Sequence, residues 1–77
     1  MSPEQLKSRL HLAYPGEPVE VTDLTGTHDH YEVYVESSKF QGLSRIEQHQ
    51  AVMAVFAPEL KTGEVHALSI RTKIKTN

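Results

Sequence analysis

The sequence predicts a small α+β domain in which three strands form one mixed sheet. Two capping-box patterns, which open at Ser2 and Ser44, mark the starts of two helices. Apolar and polar residues alternate strictly over residues 31–36, which is typical of a strand with one buried face. A last stretch rich in β-branched residues, 65–74, completes the element order α-β-β-α-α-β. Residues 1–77 are expected to form one domain, because a chain of this length supports only one core.

The first helix is expected between the Ser2 capping box and the helix-breaking Tyr-Pro-Gly run at 14–16. Its core-facing side chains recur at helical spacing: Leu6, Leu10 and Ala13. A short first strand follows, with apolar residues at Val19, Val21 and Leu24. The polar turn at 25–29 connects it to the second strand, so the two strands should form an antiparallel hairpin.

The second helix is expected to begin after Ser44, where Glu47 completes the capping box. Its predicted apolar stripe consists of Ile46, His49, Val52, Met53 and Phe56. Pro58 should end this helix and open a short further helical turn. A helical crossover normally joins parallel strands with a right-handed connection, so the last strand should pair parallel to the second.

The composition indicates a folded, soluble protein of the cytoplasm. Hydrophobic residues make up 38% of the chain and charged residues 23%, with a net charge of −2. No apolar run approaches the roughly 18 residues that a membrane span requires, so no membrane contact is expected. Residues 1–10 lack the apolar core of a signal peptide, which favours a cytoplasmic location.

The chemistry of the side chains favours binding over catalysis. The chain has no cysteine nucleophile, no G-x-S-x-G motif and no glycine-rich phosphate loop. A domain this small leaves few residues to enclose a substrate cavity. We therefore expect the chain not to be an enzyme.

Five histidines supply candidate metal ligands in a chain without cysteine. Parallel pairing would bring His66 to the edge of the sheet that carries His28 and His30, since neighbouring strands lie about 4.8 Å apart. These three residues are the candidate metal and cofactor ligands. The alternative is that they are solvated residues in a loop and at a strand end, which would show the same spacing. His11 lies near the end of the first helix, where a cation favours the helix dipole. His49 is expected to be a buried, hydrogen-bonded residue of the core.

A nucleic-acid-binding regulator is one alternative, and an interaction module without metal is another. The predicted element order also occurs in one class of KH domain, but the G-x-x-G loop that grips RNA is absent from the sequence. Arg71, Lys73 and Lys75 share one face of the last strand and could contact phosphates. Basic residues also keep edge strands unpaired, and the net charge of −2 favours this second interpretation. Weak or no nucleic-acid binding is therefore expected.

The most specific motifs of the chain are F-x-G at Phe40 to Gly42, R-x-x-x-H at Arg45 to His49, and V-H-A-L-S at Val65 to Ser69. The hairpin has the sequence G-T-H-D-H-Y at 26–31, in which a histidine precedes an aromatic residue. Together these motifs resemble the BolA family, whose loop often has a histidine before an aromatic residue. The resemblance extends from the first helix to about Thr72.

The resemblance implies a KH-like (class II) fold with the helices on one face of the sheet, and no enzymatic activity. It implies a partnership with a monothiol CGFS glutaredoxin, with which members share a glutathione-linked [2Fe–2S] cluster in iron sensing or iron–sulfur trafficking. Further implied partners are apo iron–sulfur proteins, and some members are described as transcriptional regulators. The family's V-H-A-L-S histidine is a cluster ligand and corresponds to His66. The second family ligand is a loop His or Cys, which leaves His28 and His30 open here.

Overall fold

The computed structural model describes residues 2–26, 30–65 and 67–76. One turn of 3-10 helix, Ser38–Phe40, lies between the second strand and the second helix and is not anticipated by the sequence pattern. The α+β class with a three-stranded mixed sheet is confirmed. In chain order, the helices and strands are α1 (Pro3–Ala13), β1 (Val19–Asp23), β2 (His30–Ser37), α2 (Arg45–Val55), α3 (Ala57–Thr62) and β3 (Ala67–Ile74).

Both predicted capping boxes are present at the helix starts. The Ser2 hydroxyl accepts a hydrogen bond from the Gln5 backbone N–H, and the Gln5 side chain accepts one from the Ser2 N–H. Ser44 and Glu47 exchange the same pair of bonds at the start of α2. These bonds satisfy backbone donors that a helix start otherwise leaves unpaired, so the sequence defines both boundaries.

The strand order is β1-β2-β3, with β2 in the centre. β1 pairs antiparallel to β2, and β3 pairs parallel to β2, as predicted. β1 ends one residue before Leu24, which is exposed. The parallel ladder begins with His30 opposite Ala67. β3 thus starts at Ala67 rather than at Val65, because the Val65 N–H donates to α3 instead of to the sheet.

The hydrophobic core lies between one face of the sheet and the helices. Val33 and Val35 on β2 are fully buried, whereas Glu32 and Tyr34 are half-buried on the other face. α1 packs against β1, and α2 packs against β3. Each fully buried side chain contributes about 1.5–3 kcal/mol relative to an exposed position. The buried apolar residues are Leu6, Leu10, Tyr14, Val19, Tyr31, Val33, Val35, Phe40, Val52, Phe56 and Val65.

The buried face of α2 differs from the predicted stripe. Ile46 is 69% exposed and Met53 is 45% exposed, whereas Gln48 is buried one turn before Val52. The Gln48 amide nitrogen donates to a carbonyl of the preceding loop at 3.0 Å, and its oxygen accepts a bond from β3. Burial of this amide is tolerated because both of its ends are paired. The stripe is therefore wrong in its orientation, although two of its members, Val52 and Phe56, are buried as predicted.

The prediction of a buried, hydrogen-bonded His49 is also wrong. His49 is half-buried at the flank of the α2 face that contacts the core. Within the part of the chain that the structure describes, its ring has no hydrogen-bond partner. The helix turns about 100° per residue, so burying its neighbour Gln48 moves His49 towards solvent.

Candidate functional site

One end of the sheet carries His30 and Ala67, the first residues of the two parallel strands. Their Cα atoms are partners in the β2–β3 register. His30 is half-buried, and its carbonyl accepts a hydrogen bond from the Leu24 N–H at 2.9 Å. Ala67 directly follows His66 in the chain, so the parallel pairing brings that part of the backbone beside His30. We call this region, His30 with Ala67, the hairpin end.

The other two predicted ligands, His28 and His66, lie outside the described residues. The backbone that leads to His28 is described up to Gly26, and the backbone that leads to His66 is described up to Val65. Of the three candidate ligands, only His30 therefore has a described position. A joint histidine site stays a prediction. The strand pairing places it at the end of the sheet where His30 is aligned with Ala67.

The turn after β1 is organised by the carboxylate of Asp23. Its Oδ1 accepts hydrogen bonds from the Thr25 N–H at 3.2 Å and from the Gly26 N–H at 2.9 Å. Gly26 has a φ of +76°, a left-handed conformation that glycine adopts without the strain of a side chain. This Asx turn fixes the direction in which the chain leaves β1 towards the loop that contains His28.

The segment before His66 is held by α3. The carbonyl of Glu59 accepts hydrogen bonds from the Gly63 N–H at 3.1 Å and from the Val65 N–H at 3.2 Å. Gly63 ends the helix at a φ of +84°, and the Val65 side chain is only 1% exposed. The backbone is thus fixed by two hydrogen bonds and a core contact up to the residue before His66.

Arg9 joins α1 to α3 and to the end of α2. Its Nη2 lies 2.9 Å from Oε1 of Glu59 and donates a hydrogen bond to the Val55 carbonyl. The guanidinium carbon lies 5.6 Å from the centre of the Phe56 ring. The adjacent guanidinium lowers the pKa of the Glu59 carboxyl below its ordinary value. The sequence pattern gives no signal for this pair, because Arg9 and Glu59 lie on separate helices far apart in the chain.

The basic residues of β3 share their surface with acidic residues of β2. Arg71 Nη1 lies 3.9 Å from Oε1 of Glu32, and Lys73 is the register partner of Glu36. Lys75 follows the end of β3 and is half-buried, so only two of the three predicted basic residues belong to the strand. This face therefore alternates in charge and does not form the basic surface that phosphate binding requires.

Other kinds of site are not found among the described residues. In ranges 2–26, 30–65 and 67–76, no group of three or more histidine, aspartate or glutamate side chains lies close enough to hold a metal ion. No pocket opens between these residues. No described helix has the length and apolar character needed to cross a membrane.

The sequence is similar to one family model and to several proteins. A family model described as BolA-like protein matches residues 5–77. An uncharacterised Rickettsia prowazekii protein is 35% identical over 72 residues, which cover 94% of this chain and 92% of that protein. Human BolA-like protein 1 is 36% identical over 75 residues, covering 88% of this chain and 54% of its own length. The chain thus spans nearly all of the rickettsial protein and about half of the human one.

Solved structures of similar fold include two whose descriptions name BolA. Arabidopsis thaliana BolA1 has a TM-score of 0.82 at 25% identity, covering 94% of this chain and 89% of that one. The BolA domain of SufE1, also from Arabidopsis thaliana, has a TM-score of 0.83 at 27% identity, with coverages of 94% and 90%. Yeast Fra2 has a TM-score of 0.78 at 30% identity, with coverages of 96% and 80%. With the fold, the family model and the relatives in agreement, the chain belongs to the BolA family.

Proposed function

We propose that this chain is a non-enzymatic cytoplasmic adaptor that pairs with a monothiol CGFS glutaredoxin. The pair shares a glutathione-linked [2Fe–2S] cluster and serves iron sensing or iron–sulfur trafficking, including delivery to apo iron–sulfur proteins. The observation that carries the proposal is the parallel pairing of β2 with β3, which aligns His30 with Ala67, the residue that follows His66. Membership of the BolA family supports the assignment of the partner.

The available donor atoms fit a shared cluster better than a cluster held by this chain alone. Iron–sulfur clusters are usually bound by four thiolates, and imidazoles replace thiolates on one iron in some proteins. This chain contains histidines but no cysteine. His66 and either His28 or His30 would therefore hold one side of the cluster, while glutaredoxin and glutathione provide the thiolates. When bound, the cluster supplies a redox-active group that can be passed on.

The chain's own contribution is to hold its ligands in a fixed frame. The β2–β3 ladder fixes the Cα separation at the hairpin end. The Asx turn at Asp23 directs the backbone that leads to His28, and the Glu59 carbonyl restrains the backbone that leads to His66. A ligand held by neighbouring backbone loses less conformational entropy on binding. The frame thus favours ligation by residues that are distant in the sequence.

Cluster assembly from purified components tests the proposal. The chain is mixed with a CGFS glutaredoxin, ferrous iron, sulfide and glutathione, and visible absorption and circular dichroism are recorded. We expect a spectrum distinct from that of glutaredoxin with glutathione alone. A complex without a changed spectrum would leave only an interaction module without metal, and the absence of any complex would reject glutaredoxin as the partner. A His11→Ala variant is the matched control, because His11 lies in the last turn of α1, outside the hairpin end.

A further inference from the structure

We propose that Arg9 is a positioning residue that fixes the backbone leading to the ligand His66, an inference that rests on the proposed function. Arg9 lies on α1, and neither its helix nor its side chain belongs to the hairpin end. One of its contacts nevertheless reaches Glu59 of α3, the helix that restrains the segment before His66.

The first step is that α3 has few contacts of its own. It is six residues long, contains no fully buried residue and has no side-chain cap at its N-terminus. Leu60 is half-buried and packs against the core. A helix this short is not stable by itself, so its position depends on neighbouring elements.

The second step is that Arg9 provides such a contact from α1. The guanidinium faces the Glu59 carboxylate, donates to the Val55 carbonyl at the end of α2 and lies over Phe56. The side chain of Glu59 is only 15% exposed. A single guanidinium nitrogen thus contacts both the end of α2 and the middle of α3, while the planar group lies over Phe56.

The third step transmits this position along the backbone. The same residue that pairs with Arg9, Glu59, accepts the backbone hydrogen bonds of Gly63 and Val65. A displacement of α3 therefore moves the two points that restrain the chain before His66. Residues that orient a ligand without touching the metal commonly change metal affinity by about 10–100-fold.

The test compares Arg9→Gln with two control variants. Lys7→Gln removes a charge from the same helix, where Lys7 forms an exposed ion pair with Glu20 at 3.7 Å. Glu17→Gln weakens hydrogen bonds at the opposite end of the sheet. Thermal melting of each variant gives its overall loss of stability. Because Glu17→Gln loses stability away from α3, any change that it shares with Arg9→Gln is attributed to the lower stability alone.

The first readout needs no metal. Amide hydrogen exchange at Val65 should become about tenfold faster in Arg9→Gln than in either control, because its hydrogen-bond acceptor on α3 is less restrained. Arg9→Lys should give an intermediate rate, since it keeps the positive charge but loses the planar group that lies over Phe56. Exchange at Val65 that follows the controls would overturn the proposal.

The second readout uses the glutaredoxin complex with its cluster. Arg9→Gln should weaken cluster retention about tenfold and alter its visible circular dichroism, with partial recovery in Arg9→Lys. Faster Val65 exchange with unchanged cluster retention would overturn the positioning role and leave Arg9 a purely structural residue. If the unaltered chain forms no mixed cluster, the proposed function fails, and the exchange data still report separately on the restraint by Arg9.

Discussion

Ser37, fully buried at the end of β2, donates a hydrogen bond of 2.7 Å to the carboxylate of Glu17. The other carboxylate oxygen accepts a bond of 2.8 Å from the Ser38 N–H. Glu17 thereby joins the loop after α1 to the end of the central strand, far from the hairpin end. The hydrogen bond from Ser37, followed by that from Ser38, lowers the pKa of the Glu17 carboxyl.

This arrangement predicts a loss of stability in acid. A carboxyl whose pKa is lower in the folded state stabilises the fold above its unfolded pKa of about 4.3, and this contribution is lost as the pH falls through the lower folded value. The pKa values of Glu47 and Glu59 are lowered as well. Urea unfolding from neutral pH to about pH 3 should therefore show falling stability below about pH 4.5. Glu17→Gln should be less stable at neutral pH and less sensitive to acid, whereas Glu64→Gln should retain the acid sensitivity of the unaltered chain.

A second prediction concerns the buried amide of Gln48. Gln48→Ala should lower the free energy of unfolding by about 1–3 kcal/mol, because it leaves the Leu43 carbonyl and the Thr72 hydroxyl without this partner. Denaturant unfolding measures the loss. Gln50→Ala is the matched control on the exposed side of the same helix and should change stability by less than about 0.5 kcal/mol. Equal effects of the two variants would contradict a structural role for the amide.

The third prediction is that the isolated chain holds no stable iron–sulfur cluster. It contains no cysteine, and imidazoles do not replace all four thiolates of a cluster. Anaerobic reconstitution with iron and sulfide, followed by desalting and metal analysis, should leave no stoichiometric iron. Retention of iron and sulfide without an added thiol would contradict the shared-cluster model.

A fourth prediction separates the histidines. His66→Ala should abolish the distinctive spectrum of the proposed mixed cluster. The proposed metal-free complex with glutaredoxin should persist, because stable protein–protein interfaces bury far more area than one imidazole supplies. His28→Ala and His30→Ala should differ from each other, since only one is expected to be the second ligand. His49→Ala should leave the spectrum unchanged. An intact spectrum in the His28 and His30 variants, singly and combined, would mean that the second ligand comes from the partner.

The fifth prediction is that nucleic acids bind weakly. Arg71 and Lys73 lie beside Glu32 and Glu36 on the open face of the sheet, so few phosphates are neutralised there. Fluorescence anisotropy with duplex DNA and with single-stranded RNA should give no sub-micromolar binding at about 150 mM salt. Tight, sequence-dependent binding at this salt concentration would favour the regulator hypothesis over the adaptor.

Local sequence signals predicted the elements of this fold well. The capping boxes at Ser2 and Ser44 define helix starts through bonds within one turn, and the alternation in β2 needs only the period of a strand. The parallel pairing of β3 followed from chain connectivity. Because these signals depend on neighbouring residues or on topology, they can be read without the tertiary structure.

The errors of the sequence predictions arise where contacts between distant parts of the chain determine which residues are buried or paired. Ile46 is more apolar than Gln48, yet Gln48 is buried because its partners come from a loop and from β3. The Arg9–Glu59 pair likewise has no periodic signal. At the candidate site, the sequence predicted the edge at which His30 lies. The choice between His28 and His30 depends on side-chain geometry in a turn, which residue spacing does not encode.

The hydrogen bond of 2.6 Å from the Thr72 hydroxyl to the Gln48 amide oxygen also discriminates between alternative alignments of the edge strand. A parallel strand that slips by one residue exchanges its two faces, which here would turn Arg71 towards the interior. A slip by two residues keeps the apolar face inward but brings Ile70 or Ile74 to the amide, which would lose its hydrogen-bond donor. Gln48 therefore selects the native alignment of β3. It thereby also selects the position of Ala67, the residue that follows the candidate ligand His66.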